Sequence, residues 1–207
     1  MLIEGNIFIV TAPSGAGKTS LVKKLIEKLD NIEVSISHTT RKPRPCEQDA
    51  VDYYFVDDAE FMRMIKNNEL LEWAKVFDYY YGTSVLQINS RLKAGMDILL
   101  AIDWQGAQQI KTLRPNAIGI FIIPPSLTVL QQRLLNRGQD AQSAINLRME
   151  KAQDELNHYV EFDYIVVNDD FMRAVLELQS IVIANRACLA RQAINLKKLL
   201  ALLLPAT

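Results

Sequence analysis

The sequence predicts an α/β protein built on a doubly wound parallel sheet, and three observations carry that expectation. Short apolar runs at residues 7–10, 98–102, 118–123 and 164–167 have the continuous hydrophobicity of buried parallel strands, and helical patterns separate them. The first run ends in small residues and feeds directly into a helix. The block from 34 to 95 breaks this alternation with short strands, prolines and clustered tyrosines, and reads as an α+β insertion on the core. Right-handed crossovers then put the strand C-terminal ends, and any ligand, on one edge of the sheet.

Each element has its own local warrant. After the strand at 7–10, Leu21, Leu25, Ile26 and Leu29 fall on one helical face with lysines opposite. A strand is expected at 34–36. Residues 39–50 hold Arg41, Pro43, Arg44 and Pro45 and cannot form a regular helix. A strand at 53–56 leads to Asp57-Asp58, a cap for a helix that carries Phe61, Met62 and Ile65. Residues 70–77 are again strand-like. In the second half, a helix over 104–113 stops at Pro115, and Pro124-Pro125 closes the strand before it. Ser126 caps a helix through Leu135, Asn136-Arg137-Gly138 breaks it, and a long polar helix covers about 141–158. Asp169-Asp170 caps a last apolar-rich helix. Residues 186–204 are amphipathic, with Leu196, Leu199, Leu200 and Leu203 at helical spacing, to pack on the core or to form a subunit interface.

Composition narrows the function classes. The chain has 207 residues, enough for one domain with a substantial core. Its 23 Lys and Arg nearly balance 24 Asp and Glu, which leaves no global basic excess for a nucleic acid polymer. Two cysteines, Cys46 and Cys188, are too few for a disulfide framework and suit a reducing cytosol. Cys188 is expected to pack in the last helix. The N-terminus lacks a basic n-region, and no stretch approaches the ~20 apolar residues of a membrane span. The expectation is a cytoplasmic protein without membrane or nucleic acid partners.

The chemistry begins at Ala12-Pro13-Ser14-Gly15-Ala16-Gly17-Lys18-Thr19, between the first strand and the first helix. This is the phosphate-loop pattern G-x-x-x-x-G-K-[ST], with Ala12 at its first position. Glycines let backbone N–H groups converge on an anion, and the helix N-terminus adds a favourable dipole. Lys18 is placed to neutralise β- and γ-phosphates, and the Thr19 hydroxyl to ligand Mg²⁺. The loop specifies a nucleotide and does not separate kinase from GTPase or ATPase. Arg41 and Arg44, in a proline-stiffened loop, suit a second phosphate because arginine binds it bidentately. Tyr53 and the run Tyr79-Tyr80-Tyr81 offer hydroxyl donors to that phosphate, or fill a half-buried sheet.

Ser37-x-Thr39-Thr40-Arg41-x-Pro43-Arg44-x-x-Glu47, Asp52-Tyr53-x-Phe55, Leu71-Glu72-Trp73-Ala74, Tyr80-Tyr81-Gly82-Thr83, Ile102-Asp103-Trp104-Gln105-Gly106 and Val167-Asn168-Asp169-Asp170 occur in this order. Together they resemble the bacterial guanylate kinases of the P-loop nucleoside-monophosphate kinase family, from about residue 5 to 187. The resemblance implies a core of 1–33, 96–136 and 159–190, a GMP-binding subdomain at 34–95, a helical lid at 137–158 and a tail at 191–207. It implies that Arg41, Arg44, Tyr53 and Tyr81 hold the GMP phosphate, with Glu47 in the same site. Glu72 would accept from guanine N1–H and the 2-amino group, with Ser37, Thr83 and Asp103 completing the site. Adenine lacks those donors and would leave a desolvated carboxylate unpaired. ATP would lie on residues 12–19 and Asn168, and Arg133, Arg137 and Arg148, which flank the break at Gly138, would act with Lys18 and Arg41.

The implied reaction is MgATP + GMP → ADP + GDP, extended to dGMP, with a homodimer or larger homo-oligomer possible. The acceptor phosphate is already largely deprotonated at neutral pH, its second pKa being ~6, so no strong base is needed. Two positions depart from the family: Ala101 stands where an acidic residue is usual, and Cys46 where glycine often is.

Overall fold

The computed structural model describes residues 4–45, 47–76, 78–136 and 142–204, with 142–147 by backbone alone. Nine strands and nine α-helices are described, in two sheets. The larger sheet contains β1 (Ile7–Thr11), β2 (Ile32–Val34), β7 (Asp97–Leu100), β8 (Ile118–Ile123) and β9 (Tyr164–Val167). Their spatial order is β2-β7-β1-β8-β9, and every pairing is parallel. All five residues of β1 and all four of β7 are buried, which is why residues 7–10 and 98–100 read as unbroken apolar runs.

Helices cover both faces. One core cluster joins Phe8 and Val10 to Leu21 and Leu25 of α1 (Lys18–Ile26) and to Val175 and Leu178 of α7 (Phe171–Arg186). The other face joins Ile7 and Ile9 to Ile88 and Leu92 of α3 (Val85–Lys93) and Ile110 of α4 (Trp104–Leu113). Strand side chains alternate faces, so successive residues of β1 feed the two clusters in turn.

The smaller sheet has the order β4-β3-β6-β5, from β3 (His38–Thr39), β4 (Tyr54–Phe55), β5 (Leu70–Val76) and β6 (Tyr79–Ser84). Helix α2 (Asp58–Lys66) lies in the same block, capped by Asp57, whose carboxylate accepts from the Glu60 amide at 2.8 Å. It buries Phe61 and Met64 and leaves Met62 exposed. The early strand lies at 32–34 instead of 34–36. Strand β6 and helix α3 are additions to the sequence expectation.

In the second half, Asp103, Ser126 and Asp170 cap α4, α5 (Leu127–Leu135) and α7 through side-chain bonds to backbone amides. Helix α6 (Gln142–Leu156) covers the expected long polar helix and continues as a 3₁₀ turn, Asn157–Glu161. Met149 and Ala152 pack on Leu130 and Leu134 of α5.

The chain ends in α8 (Leu189–Asn195) and α9 (Lys197–Leu203). Asp97, almost completely buried at the start of β7, receives Arg186 at 2.7 Å and Arg191 at 3.0 Å, and this pins α8 to the core. Leu199, Leu202 and Leu203 of α9 stay exposed. Cys188 is exposed at the α8 N-cap, contrary to the packing role expected for it: the chain turns there, and its side chain faces out. Among the described residues, no helix is long and apolar enough to cross a membrane.

Candidate functional site

A cleft of about 230 Å³ opens at the C-terminal ends of the parallel strands, between the phosphate loop and the smaller sheet. Its floor is the loop that leaves β1. Gly15 and Gly17 adopt φ of 93° and 99°, a left-handed backbone that only glycine takes without strain. At Gly17 a Cβ would also collide with the Asn168 side chain. Asn168 follows β9 and donates through Nδ2 to the Ala16 carbonyl at 2.7 Å. Arg133, from α5, donates to the Asn168 carbonyl at 2.9 Å and to the Ala16 carbonyl at 3.4 Å. Asn168 and Arg133 thus brace the loop from behind, and Ala16 is fully buried.

Lys18 opens α1 and donates to the Ile102 carbonyl at 2.8 Å, an acceptor it shares with the Thr11 hydroxyl at 3.2 Å. This ties the loop to the end of β7. Burial pushes the Lys18 pKa down, against the attraction of Asp103, Glu155 and Glu72. Asp103 caps α4 and accepts from the Gly106 amide at 3.0 Å and from Gln105 at 3.1 Å.

The opposite wall comes from the inserted block. Ser37, Tyr53, Glu72 and Tyr81 line the same cleft as Ala12 to Gly15, Gly17, Lys18, Thr19 and Asp103. Glu72 lies on β5 and is only 3% exposed. The fully buried Thr83 hydroxyl, on the paired strand β6, donates to its Oε1 at 2.5 Å. Gly106 of α4 lies so close that a Cβ there would overlap Glu72 Oε2. Burial pushes the Glu72 carboxyl up to about 7, with Asp103 raising it further and the Thr83 hydrogen bond and Lys18 opposing.

Beside this wall, Arg41 donates to Glu47 at 2.8 Å and lies 5.4 Å over the Tyr53 ring. The Arg44 amide donates to the other Glu47 oxygen at 2.8 Å. Glu47 thereby orders the proline-stiffened loop. Arg44 keeps its guanidinium half exposed.

A phosphate-binding loop facing a buried carboxylate and an arginine loop across one cleft is the layout implied by the motifs. The guanylate kinase family model matches residues 4–185. The chain belongs to the guanylate kinase family. It is 59% identical over 201 residues to a guanylate kinase of Legionella pneumophila (strain Lens), covering 97% of this chain and 96% of the relative. It is 50% identical over 197 residues to a guanylate kinase of Pseudoalteromonas translucida, covering 95% and 96%. Among solved structures, guanylate kinase from Anaplasma phagocytophilum superposes with a TM-score of 0.78 at 33% identity, covering 95% of this chain and 94% of that one.

Within this family frame, most of the expected residues converge on the cleft or its supports. Arg137 lies outside the described residues, as does Cys46. Arg148 lies half-buried on α6. Ala101 lines the cleft and packs against the apolar core, so it supplies no carboxylate there.

One cleft residue escaped sequence reasoning. Glu155, on α6, lines the cleft alongside Ser14, Lys18 and Asp103. Burial raises its pKa, with Lys18 opposing. Its only sequence signal is helical spacing, since residues 148, 152 and 155 share one face.

Proposed function

We propose that the protein transfers the γ-phosphoryl group of ATP to GMP, and also to dGMP, releasing ADP and the nucleoside diphosphate for guanine nucleotide synthesis and recycling in the cytoplasm. The observation that carries this reading is Glu72: a carboxylate buried on the acceptor side of the cleft that holds the phosphate loop. Burying such a group is costly unless a ligand supplies donors. Guanine N1–H and its 2-amino group are two donors on one edge, spaced for one carboxylate.

The donor nucleotide would lie with its β- and γ-phosphates on the amides of residues 14–19 and on Lys18. Asn168 and Arg133 act through the loop that they brace. The acceptor phosphate would meet Arg41, Arg44, Tyr53 and Tyr81, with Glu47 orienting both arginines. Ser37 borders the base, and Thr83 holds the Glu72 carboxylate toward it. Asp103 and the α4 N-terminus lie between the two halves. Arg137 and Arg148 would come from the lid.

A hard divalent cation fits the oxygen donors here. The Thr19 hydroxyl and the Asp103 carboxylate line one cleft, and Mg²⁺ keeps waters and substrate phosphates among its ligands. When bound, it neutralises charge that develops on the transferred group. The protein's own part is positioning and electrostatic stabilisation by Lys18 and the arginines.

A coupled ADP-release assay across GMP, dGMP, AMP, UMP and CMP with MgATP tests the reading. GMP and dGMP should turn over, and AMP should be slower in kcat/KM by about 10²-fold or more. Equal use of AMP would overturn it.

A further inference from the structure

The cleft contains an anion that the transfer reaction does not call for. Glu155 projects from α6 into the phosphate-loop end of the cleft, where both the Ser14 main chain and the Lys18 ammonium act on its carboxylate. Two independent contacts fix this placement. One turn earlier on the same face, Ala152 packs on Leu130 and Leu134. These two leucines are also the nearest side chains to Gly15 of the phosphate loop. Three residues later, His158 stacks on Trp104 at 3.6 Å between ring centroids and 10° between planes, next to Asp103. Helix α6 and the 3₁₀ turn that continues it are therefore clamped on both sides of Glu155, one clamp at the loop and one at the start of α4.

A carboxylate held this way faces the groups that a phosphate-binding loop offers to a nucleotide: a backbone donor and the loop lysine. Ser14, Lys18 and Asp103 line the same cleft, where Lys18 and, from α6 itself, Lys151 attract the Glu155 carboxylate; Lys18 in turn faces Asp103, Glu155 and Glu72. A triphosphate entering this space meets repulsion from Glu155 as well as the loop's attraction.

We propose that Glu155 is a positioning residue that stands in for a phosphate in the nucleotide-free protein, so that donor binding must displace it and thereby shift α6. The inference rests on the phosphate-loop reading above and deepens it. It links donor occupancy to the helix that carries Arg148. An early-bound nucleotide must also do work against Glu155, which keeps hydrolysis of ATP low before the acceptor arrives.

The test is the dissociation constant of MgADP, measured by calorimetry without GMP, for the wild-type protein, Glu155→Gln and Glu155→Asp. Removing the charge should tighten MgADP at least about threefold and raise GMP-independent ATP hydrolysis, while Glu155→Asp stays near wild type. Thermal melts of all three variants identify a folding defect, and Glu155→Ala replaces Glu155→Gln if the latter melts early. Unchanged or weaker MgADP binding in the charge-free variant overturns the inference and leaves the kinase reading intact. Failure of the wild-type protein to bind MgADP at all would overturn both.

Discussion

Replacing Glu72 with glutamine should weaken GMP use and stabilise the fold, two effects of opposite sign from one buried charge. In the unfolded chain the carboxyl has its ordinary value of 4.5; in the folded protein burial takes it to about 7. The folded state therefore holds the proton more tightly, and the contribution of this group to stability is present below pH 4.5 and lost as pH rises through 7. At about 1.4 kcal/mol per tenfold, that gap amounts to roughly 3 kcal/mol of penalty above pH 7. Glutamine carries no charge to desolvate, and its amide oxygen still accepts the Thr83 hydroxyl. Urea denaturation should find Glu72→Gln close to wild type at pH 5 and more stable by up to about 3 kcal/mol at pH 8. For catalysis, hydrogen bonds to a charged acceptor contribute about 1.5–3 kcal/mol each, so kcat/KM for GMP should fall about 10²–10³-fold. MgADP affinity should hold. Protonation has the same direction, so the wild-type KM for GMP should rise as pH falls below about 7. A stability difference that does not change between pH 5 and pH 8 would refute the burial argument. A loss of less than about fivefold in kcat/KM would refute the base contact.

Three further substitutions probe separate parts of the architecture. Lys18→Ala should lower turnover by about 10²–10³-fold or more while the melting temperature stays level or rises, because burial disfavours the lysine charge in the folded state. Gly106→Ala places a methyl against the carboxylate of Glu72, which Thr83 holds in place; the KM for GMP should rise about tenfold, in line with ~1–3 kcal/mol for overpacking, with MgADP binding little changed. Asp97→Asn should lower stability by about 3 kcal/mol in a denaturant titration, since it removes the charge that Arg186 and Arg191 share. Asp97 lies at the start of β7, the end away from the cleft, so kcat/KM per folded molecule should not move.

How much of this was legible in the sequence depends on whether the information is local. The phosphate loop is contiguous: strand, glycines, lysine and helix follow one another, and neighbouring residues dictate its conformation. The buried strands were legible for a similar reason, since β1, β7 and β8 are covered on both faces and leave apolar runs. Legibility fails where burial comes from a distant partner. On β5 the order is Glu72 buried and Trp73 40% exposed, the reverse of what hydrophobicity alone would assign. What inverts it is Gly106 of α4, more than thirty residues on, whose missing side chain leaves room for the carboxylate. Helix α3 hid because it begins at Ser84 with no side-chain cap bond and buries only Ile88 and Leu92. Asn168 was placed at the nucleotide, yet its amide acts on Ala16 from behind the loop, a relation created only when β9 pairs with β8. Glu155 is the strongest case. On a helix with no pronounced apolar face, it has the sequence signature of a solvated residue, and only the two clamps at Ala152 and His158 turn it toward Lys18. With Ala101 contributing no charge, the carboxylates that act on Lys18 are Asp103, Glu155 and Glu72, so the charge balance around Lys18 is set by tertiary packing of α6 and β5 as well as by the residues that follow β7.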